Sequence, residues 1–162
     1  MFEKNVLEEL VEKCDRLERK QKPNEYREMC KALIATLFLT GGRITEVLML
    51  KRDDFIFNDS EARDNNSFLV KDMNVFKAPK DKKTKKTIPR PPRTFPIKYD
   101  EPLVSHLIKW VKKENAGKYL FPTARKEFMH PTTAFKIARE AGELLDSPRH
   151  INPTWFRQQR KD

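Results

Sequence analysis

Residues 40–48 read Thr-Gly-Gly-Arg-Ile-Thr-Glu-Val-Leu, and this stretch decides how the chain folds. It follows an apolar run, residues 32–39, that is typical of a buried helix, and it leads into a short apolar helix over about 45–50. Glycine directly after a helix commonly takes the left-handed conformation that ends it, because glycine has no Cβ to clash. We therefore expect a sharp turn at residues 40–43, which we call the glycine elbow.

Two roles are open for Arg43, the arginine at this turn. A guanidinium held in a rigid corner can bond a phosphate at two points, because its N–H groups form a planar fork. The alternative is a solvated arginine beside a helix cap. The elbow alone favours the solvated arginine, so the remainder of the chain has to decide.

Charge is the strongest feature of the composition. The 162 residues include 34 Lys and Arg against 24 Asp and Glu, which gives a net charge of +10. Such an excess indicates an anionic partner, most simply nucleic acid. No stretch is apolar enough to span a bilayer, and the charged N-terminus is not a signal peptide, so the sequence predicts a cytoplasmic protein with no membrane partner.

The sequence predicts no metal and no cofactor. Cys14 and Cys30 fall on predicted helix faces among apolar residues, as expected of reduced core thiols in an intracellular protein. The cysteines have no CxxC spacing, and the three histidines are scattered along the chain.

The apolar periodicity predicts an α+β fold that is mainly helical, with a small antiparallel sheet of three strands. Helices are predicted over 2–21, 25–40, 45–50, 100–111 (with Asp100 as its cap), 130–144 and 153–160, strands over 54–57, 68–76 (in one or two pieces) and 93–97, and a polar loop over 60–66. Pro96 is compatible only with an edge strand or a bulge, because proline has no N–H to donate to a neighbouring strand.

Between the last two strands lies a lysine-rich and then proline-rich stretch, residues 79–92. We call residues 77–92 the basic segment, which also includes Lys77, the residue that ends the strand piece Val75-Phe76. We expect it to form the long, mobile tip of a hairpin that contacts phosphates. Its candidate DNA-binding residues are Lys80, Lys82, Lys83, Lys85, Lys86 and Arg90.

Taken in order, these features resemble the catalytic domain of tyrosine recombinases, the phage-integrase-like site-specific recombinases. Residues 40–50 are similar to the first arginine box of that family, and Leu120-Phe121-Pro122 resembles the segment before the second box. Residues 153–160, Pro-Thr-Trp-Phe-Arg-Gln-Gln-Arg, are similar to the second box of archaeal and archaeal-virus integrases. The resemblance covers about residue 24 to the end.

The resemblance implies site-specific recombination or integration by DNA strand breakage and rejoining, with double-stranded DNA as the partner. It implies that residues 1–162 form one catalytic domain, and that a full-length protein is a homo-oligomer on DNA. It also changes the interpretation of Arg43 from a solvated residue to a phosphate clamp.

The site residues follow from the same resemblance. Arg43 and Arg157 would stabilise the negative charge that develops on the non-bridging phosphate oxygens during cleavage. A hairpin lysine would protonate the departing 5′ oxygen, with Lys77 as the first choice and Lys80 as the second. The alternative for all the lysines from 77 to 86 is that they form a solvated tip that contacts phosphates only loosely. Arg160 would contact a phosphate or be solvated.

The sequence departs from the family pattern in three places. Thr154 replaces the usual histidine of the second box; it can bond a phosphate but cannot shuttle a proton near neutral pH. Gln158 stands where the family often has a second histidine. The family's nucleophilic tyrosine follows the second box, whereas the tyrosines here precede it and are interpreted as structural or surface residues: Tyr26, Tyr99 and Tyr119. We therefore expect a domain that lacks the nucleophile segment and the N-terminal DNA-clamping domain.

Two other functions stay open at this stage. One is a non-catalytic DNA-binding protein with a degenerate recombinase fold, which Thr154 supports. The other is an RNA-binding protein that uses the basic segment, although the chain lacks the aromatic-bearing sheet motif of a common RNA module.

Overall fold

The computed structural model describes residues 3–71, 94–113, 117–123 and 127–160. Its helices are α1 (Lys4–Lys13), α2 (Pro23–Thr40), α3 (Ile44–Leu48), α4 (Ser60–Asp64), α5 (Val104–Val111), α6 (Pro131–Glu143) and α7 (Pro153–Arg160), and its strands are β1 (Phe55–Ile56), β2 (Ser67–Lys71) and β3 (Thr94–Lys98). Short 3-10 turns lie at Cys14–Arg16 and Arg52–Asp54.

Helix α2 is the centre of the molecule, as its apolar sequence predicted. Ten of its residues between Met29 and Leu39 are buried. It contacts α1, α3, α5, α6 and α7. The buried apolar side chains of these helices join those of the sheet in one continuous core. Because α2 ends at the glycine elbow, the core fixes the position of that turn.

The sheet has the order β1-β2-β3 and is antiparallel throughout. Phe68 and Val70 of β2 face the core, together with Ile97 of β3. Pro96 pairs with Leu69 and lies on β3, an edge strand, where its missing N–H leaves no ladder bond unmade. The prediction for Pro96 is therefore confirmed. The predicted strand piece Val75-Phe76 lies outside the described residues.

The prediction of a polar loop over 60–66 was wrong, because residues 60–64 form helix α4. The Asp59 carboxylate accepts a hydrogen bond from the Ala62 N–H at 3.0 Å, which caps the helix. Ala62 provides its buried side chain.

Two helices are shorter than predicted. Helix α1 ends at Lys13, and after the 3-10 turn the chain becomes extended at Leu17, whose carbonyl accepts a hydrogen bond from Arg27 Nε at 3.0 Å. Helix α5 begins at Val104 and not at Asp100, because Leu103 adopts a left-handed conformation with φ of 65°. The chain makes a separate turn before it, in which the Glu101 N–H donates to the Lys98 carbonyl oxygen at 3.2 Å.

Both cysteines are unpaired and fully buried, as expected of core thiols. Burial raises the pKa of the Cys30 thiol to about 12 and raises that of Cys14 as well, so both thiols stay protonated and unreactive at neutral pH. In the parts of the chain that the structure describes, no helix has the length and apolar character needed to cross a membrane.

Candidate phosphate-binding site

The glycine elbow has the predicted conformation. Gly41 ends α2 in the left-handed region with φ of 61°. The Thr40 hydroxyl donates to the Thr36 carbonyl oxygen at 2.7 Å and accepts a hydrogen bond from the Gly42 N–H at 3.2 Å. These bonds hold the turn together.

Arg43 follows as the residue that precedes α3. Its backbone is fixed, because the Arg43 N–H donates to Oε1 of the buried Glu46 at 3.1 Å. Its side chain is exposed, and the guanidinium has no hydrogen bond or ion pair with any residue that the structure describes. The backbone is therefore held in place while the whole guanidinium fork is free to bind a ligand.

Arg157 reaches the same turn from α7. Its Nε donates to the Gly41 carbonyl oxygen at 3.1 Å, although 116 residues separate the two positions. The fully buried ring of Phe156 and the half-buried ring of Trp155, 5.1 Å apart, place α7 against the core. Packing of α7 therefore brings the Arg157 side chain to Gly41, which lies two residues before Arg43 in the sequence. The clamp role of the two arginines stays a prediction.

This arrangement suits a tetrahedral oxyanion. Among the residues that the structure describes, the Arg157 side chain has a hydrogen bond only through its Nε, so both Nη groups can bind a ligand. The side chain is half-buried, which strengthens a charge-assisted hydrogen bond relative to bulk water. The exposed guanidinium of Arg43 and the Nη groups of Arg157 are both of the kind that can bond a phosphate oxygen.

The other predicted residues of α7 lie on its exposed side or have protein partners. Thr154 and Gln158 are exposed. Arg160, predicted to contact DNA, forms an ion pair with Glu101, and its Nη1 is 3.0 Å from Glu101 Oε2.

The basic segment lies outside the described residues, so Lys77, Lys80, Lys82, Lys83, Lys85, Lys86 and Arg90 stay predictions. Among the described residues, Lys71 of β2 pairs with Thr94 of β3, and the basic segment lies between these two residues in the sequence.

The three tyrosines take part in ring contacts with other side chains. The Tyr26 ring lies under the Arg19 guanidinium at 5.4 Å. The Tyr99 ring packs on Phe68 and the Tyr119 ring on Phe128, each with centroids 5.3 Å apart. These contacts give each tyrosine a place in the fold.

Sequence reasoning missed two residues that hold α7 in place. Gln159 is buried, and its Oε1 accepts the Glu3 N–H at 2.9 Å, which joins α7 to the start of α1. Glu101, in the turn before α5, is the partner of Arg160. Gln159 lies within the segment that resembles the second box and Glu101 lies outside any motif, but no pattern in the sequence indicates the distant partner of either residue.

Comparison with known proteins was informative only at the level of structure. No protein-family model matches the sequence. No curated protein matches it either. A solved structure, the XerH site-specific recombinase bound to its difH substrate in a pre-cleavage complex, is similar to 98% of this chain at 19% sequence identity, with a TM-score of 0.54.

The match covers 42% of the recombinase, so the chain spans about two fifths of that protein's length. At this level of identity the comparison shows the fold. The chain therefore has the mainly helical α+β fold of a site-specific recombinase, with a three-stranded antiparallel sheet, as predicted from the sequence.

Proposed function

We propose that this chain binds double-stranded DNA and clamps a phosphate at which a DNA strand is broken and rejoined, as part of site-specific recombination. One observation carries the proposal: on a recombinase fold, the Arg157 side chain bonds the Gly41 carbonyl and so joins Arg43 at the glycine elbow.

The chemistry of strand exchange explains why two arginines would be needed. When an oxygen nucleophile attacks the phosphodiester, negative charge accumulates on the non-bridging oxygens. Donors already aimed at those oxygens stabilise the transition state without reorganising at the moment of reaction. Arg43 and Arg157 suit this role because Glu46 fixes the backbone of Arg43 and the Gly41 carbonyl bonds the side chain of Arg157.

The charge distribution supports DNA as the partner. The basic segment alone contains seven Lys and Arg against one Asp, and the whole chain has a net charge of +10. We propose that Lys77, or Lys80 in its place, protonates the departing 5′ oxygen, and that the other cations of the segment contact backbone phosphates. Such contacts release counterions, so DNA affinity should fall steeply as salt is raised.

We assign no nucleophile among the residues of this sequence, because Tyr26, Tyr99 and Tyr119 all have places in packing. The proposed contribution of residues 1–162 is one catalytic domain that supplies DNA binding and the phosphate clamp. Assembly as a homo-oligomer on DNA is proposed for the full-length protein.

A strand-joining assay tests this contribution without requiring a tyrosine. A nicked duplex, randomised in sequence around the nick, carries a 4-nitrophenyl ester on the 3′ phosphate and a free hydroxyl on the adjoining 5′ end. Attack by that hydroxyl forms the phosphodiester, loses its proton and expels 4-nitrophenolate, so joining is measured as the longer strand on a denaturing gel. We expect the unaltered chain to join the ends.

Variants and a control decide what the joining depends on. Arg43→Ala and Arg157→Ala should abolish it, whereas Arg139→Ala should not, because Arg139 is an exposed arginine on α6 paired with Glu143. Joining that survives both substitutions at the elbow would contradict the clamp.

The second candidate function is a non-catalytic DNA-binding protein, and the exposed Thr154 favours it, because this side chain cannot exchange a proton near neutral pH. Duplex binding without any joining would support this candidate and overturn the proposal of strand exchange.

A further inference from the structure

Arg160 contacts the glycine elbow as well as Glu101. Its Nη1 lies 3.0 Å from Glu101 Oε2, and its guanidinium carbon lies 5.1 Å from the centre of the Phe38 ring. Its Cβ and Cγ lie 3.7 Å from the point where a Cβ on Gly41 would stand. The stem of Arg160 therefore covers the elbow while its charged end reaches Glu101.

Arg157 and Arg160 act on the elbow from the same face of α7, because residues three apart on a helix are neighbours. Arg157 bonds the Gly41 carbonyl oxygen, and Arg160 packs over Gly41 and Phe38. Two adjacent contacts on one helix face fix both its distance from α2 and its rotation. A change at Arg160 should therefore change where the Arg157 guanidinium lies.

Glu101 is well placed to anchor this helix, because its backbone lies in a fixed turn. The Glu101 N–H donates to the Lys98 carbonyl oxygen at 3.2 Å, and its own carbonyl accepts from the Val104 N–H at 3.3 Å. Lys98 ends β3, and the same strand begins at Thr94, next to the basic segment. The ion pair therefore joins α7 to the strand that returns from the basic segment.

We infer that the Glu101–Arg160 ion pair positions Arg157, so that Arg160 acts as a positioning residue of the phosphate site and not as a DNA contact. The inference rests on the proposed function for its effect on DNA, but the effect on α7 itself can be measured separately. The side chains are 27% and 34% exposed, so solvent screens the pair only in part.

The two roles for Arg160 make opposite predictions for Glu101→Gln. If Arg160 were a DNA contact, removing the competing carboxylate would free its guanidinium and tighten DNA binding. If the pair positions Arg157, the same substitution loosens α7 and weakens binding. Arg160→Gln weakens binding in either case, so Glu101 is the informative position.

The experiment compares the unaltered chain with Glu101→Gln, Arg160→Gln, and the exchange of Glu101→Arg with Arg160→Glu. Lys136→Gln on α6 is the matched control, because it removes a cation from an exposed pair with Glu140. Hydrogen exchange of the α7 amides and the affinity for a duplex of fixed length are measured for each.

We expect exchange in α7 to accelerate about two- to fivefold in each single variant and to return towards its original rate in the charge exchange. We expect the affinity for the duplex to fall in both single variants and to recover in the charge exchange. When Arg157→Ala is also present, the changes at Glu101 and Arg160 should no longer alter the affinity. The control should leave exchange in α7 unchanged.

Several outcomes would overturn the inference. Tighter DNA binding by Glu101→Gln would assign Arg160 to DNA contact. Unchanged exchange in α7 would show that the ion pair does not hold the helix. If exchange responds as expected but no variant, nor the unaltered chain, binds DNA, the proposed function fails while the role of the pair in holding α7 stands.

Discussion

Gly41 is the residue on which the phosphate site depends most directly. Its left-handed backbone ends α2, and its carbonyl oxygen accepts the hydrogen bond from Arg157 Nε. A residue with a Cβ would strain this conformation, because the Cβ comes too close to the following carbonyl oxygen. The turn that leads to Arg43 and bonds Arg157 therefore depends on the positive φ of Gly41.

Gly41→Ala should destabilise the protein by about 1–2 kcal/mol, the cost of holding alanine in the left-handed region. An added Cβ would lie 3.7 Å from the stem of Arg160, which is ordinary contact, so steric clash does not contribute. Urea denaturation followed by circular dichroism measures the loss. Gly117→Ala is the control, since nothing lies within 4 Å of its Cβ position and its φ is not positive. Equal effects of the two substitutions would contradict this account.

A residue could be predicted from the sequence when its role depends on its neighbours along the chain. The turn at Gly41 was predictable, because an apolar run that ends in glycines indicates a helix end and a turn. Arg157 was placed through a family resemblance, since no pattern within α7 shows that it reaches the elbow. Gln159 and Glu101 were missed, because their partners Glu3 and Arg160 are distant in sequence.

At the scale of elements, the link between α6 and α7 depends on a close backbone approach. A Cβ on Gly142 would lie 2.6 Å from the Arg149 carbonyl oxygen and 2.8 Å from Cγ1 of the buried Ile151. The Arg149 N–H also donates to the Gly142 carbonyl oxygen at 3.2 Å. Glycine at this position lets the connection fold back onto α6 before α7 begins.

We expect Gly142→Ala to destabilise the protein by about 1–3 kcal/mol, as overpacking does in a well-packed core. The sign is informative, because alanine in a helix interior would otherwise gain about 1 kcal/mol over glycine. Thermal denaturation of this variant is compared with Thr133→Ala, an exposed change on the same helix that should be nearly neutral. A more stable Gly142→Ala protein would show that the connection does not pack as described.

Helix α5 should confer a pH dependence on stability through His106. Burial lowers the pKa of this imidazole, and the nearby Lys31 and Lys109 lower it further. The unfolded chain therefore binds the proton more readily than the folded one. The free energy of unfolding is therefore highest above about pH 6.5, the pKa of histidine in the unfolded chain, and it falls as the pH drops below that value.

His106→Gln should reduce the loss of stability between pH 7.5 and pH 5.5. The urea midpoint at the two pH values measures it, with the exposed His150→Gln as the control. If His150→Gln reduces the loss as much as His106→Gln does, burial of His106 is not its cause.

The elements that sequence patterns failed to predict are short, and their residues are compatible with two different local structures. Asn58-Asp59-Ser60 marks a turn, but an aspartate before a helix is also a favoured cap, and the structure uses it as one at α4. Asp100 and Pro102 resemble a helix start, yet α5 begins only after Leu103. Long apolar α2 was predicted well, because its burial overrides such local choices.

At the scale of the whole molecule, the site joins two parts of the chain that are distant in sequence. Arg43 follows the central helix, and Arg157 lies on α7, which packs on that helix. Helix α1 also holds α7, through the hydrogen bond between Glu3 and Gln159. The two arginines therefore depend on the packing of the whole helical core, which sequence patterns alone could not show.

The central claim is that Arg43 and Arg157 hold one phosphate of duplex DNA, and a double-mutant cycle of DNA affinity tests it most directly. Affinities are measured by fluorescence anisotropy at two salt concentrations for the unaltered chain, Arg43→Ala, Arg157→Ala and the double variant. Arg139→Ala is the control for the loss of one positive charge, and circular dichroism checks that each variant is folded.

We predict that each substitution at the elbow weakens binding about tenfold, which is the loss expected of a charge-assisted hydrogen bond, while Arg139→Ala has a much smaller effect. The double variant should be weakened by clearly less than the product of the single effects, because both side chains bind the same phosphate. Independent effects that multiply in full, or losses no larger than that of Arg139→Ala, would contradict the clamp.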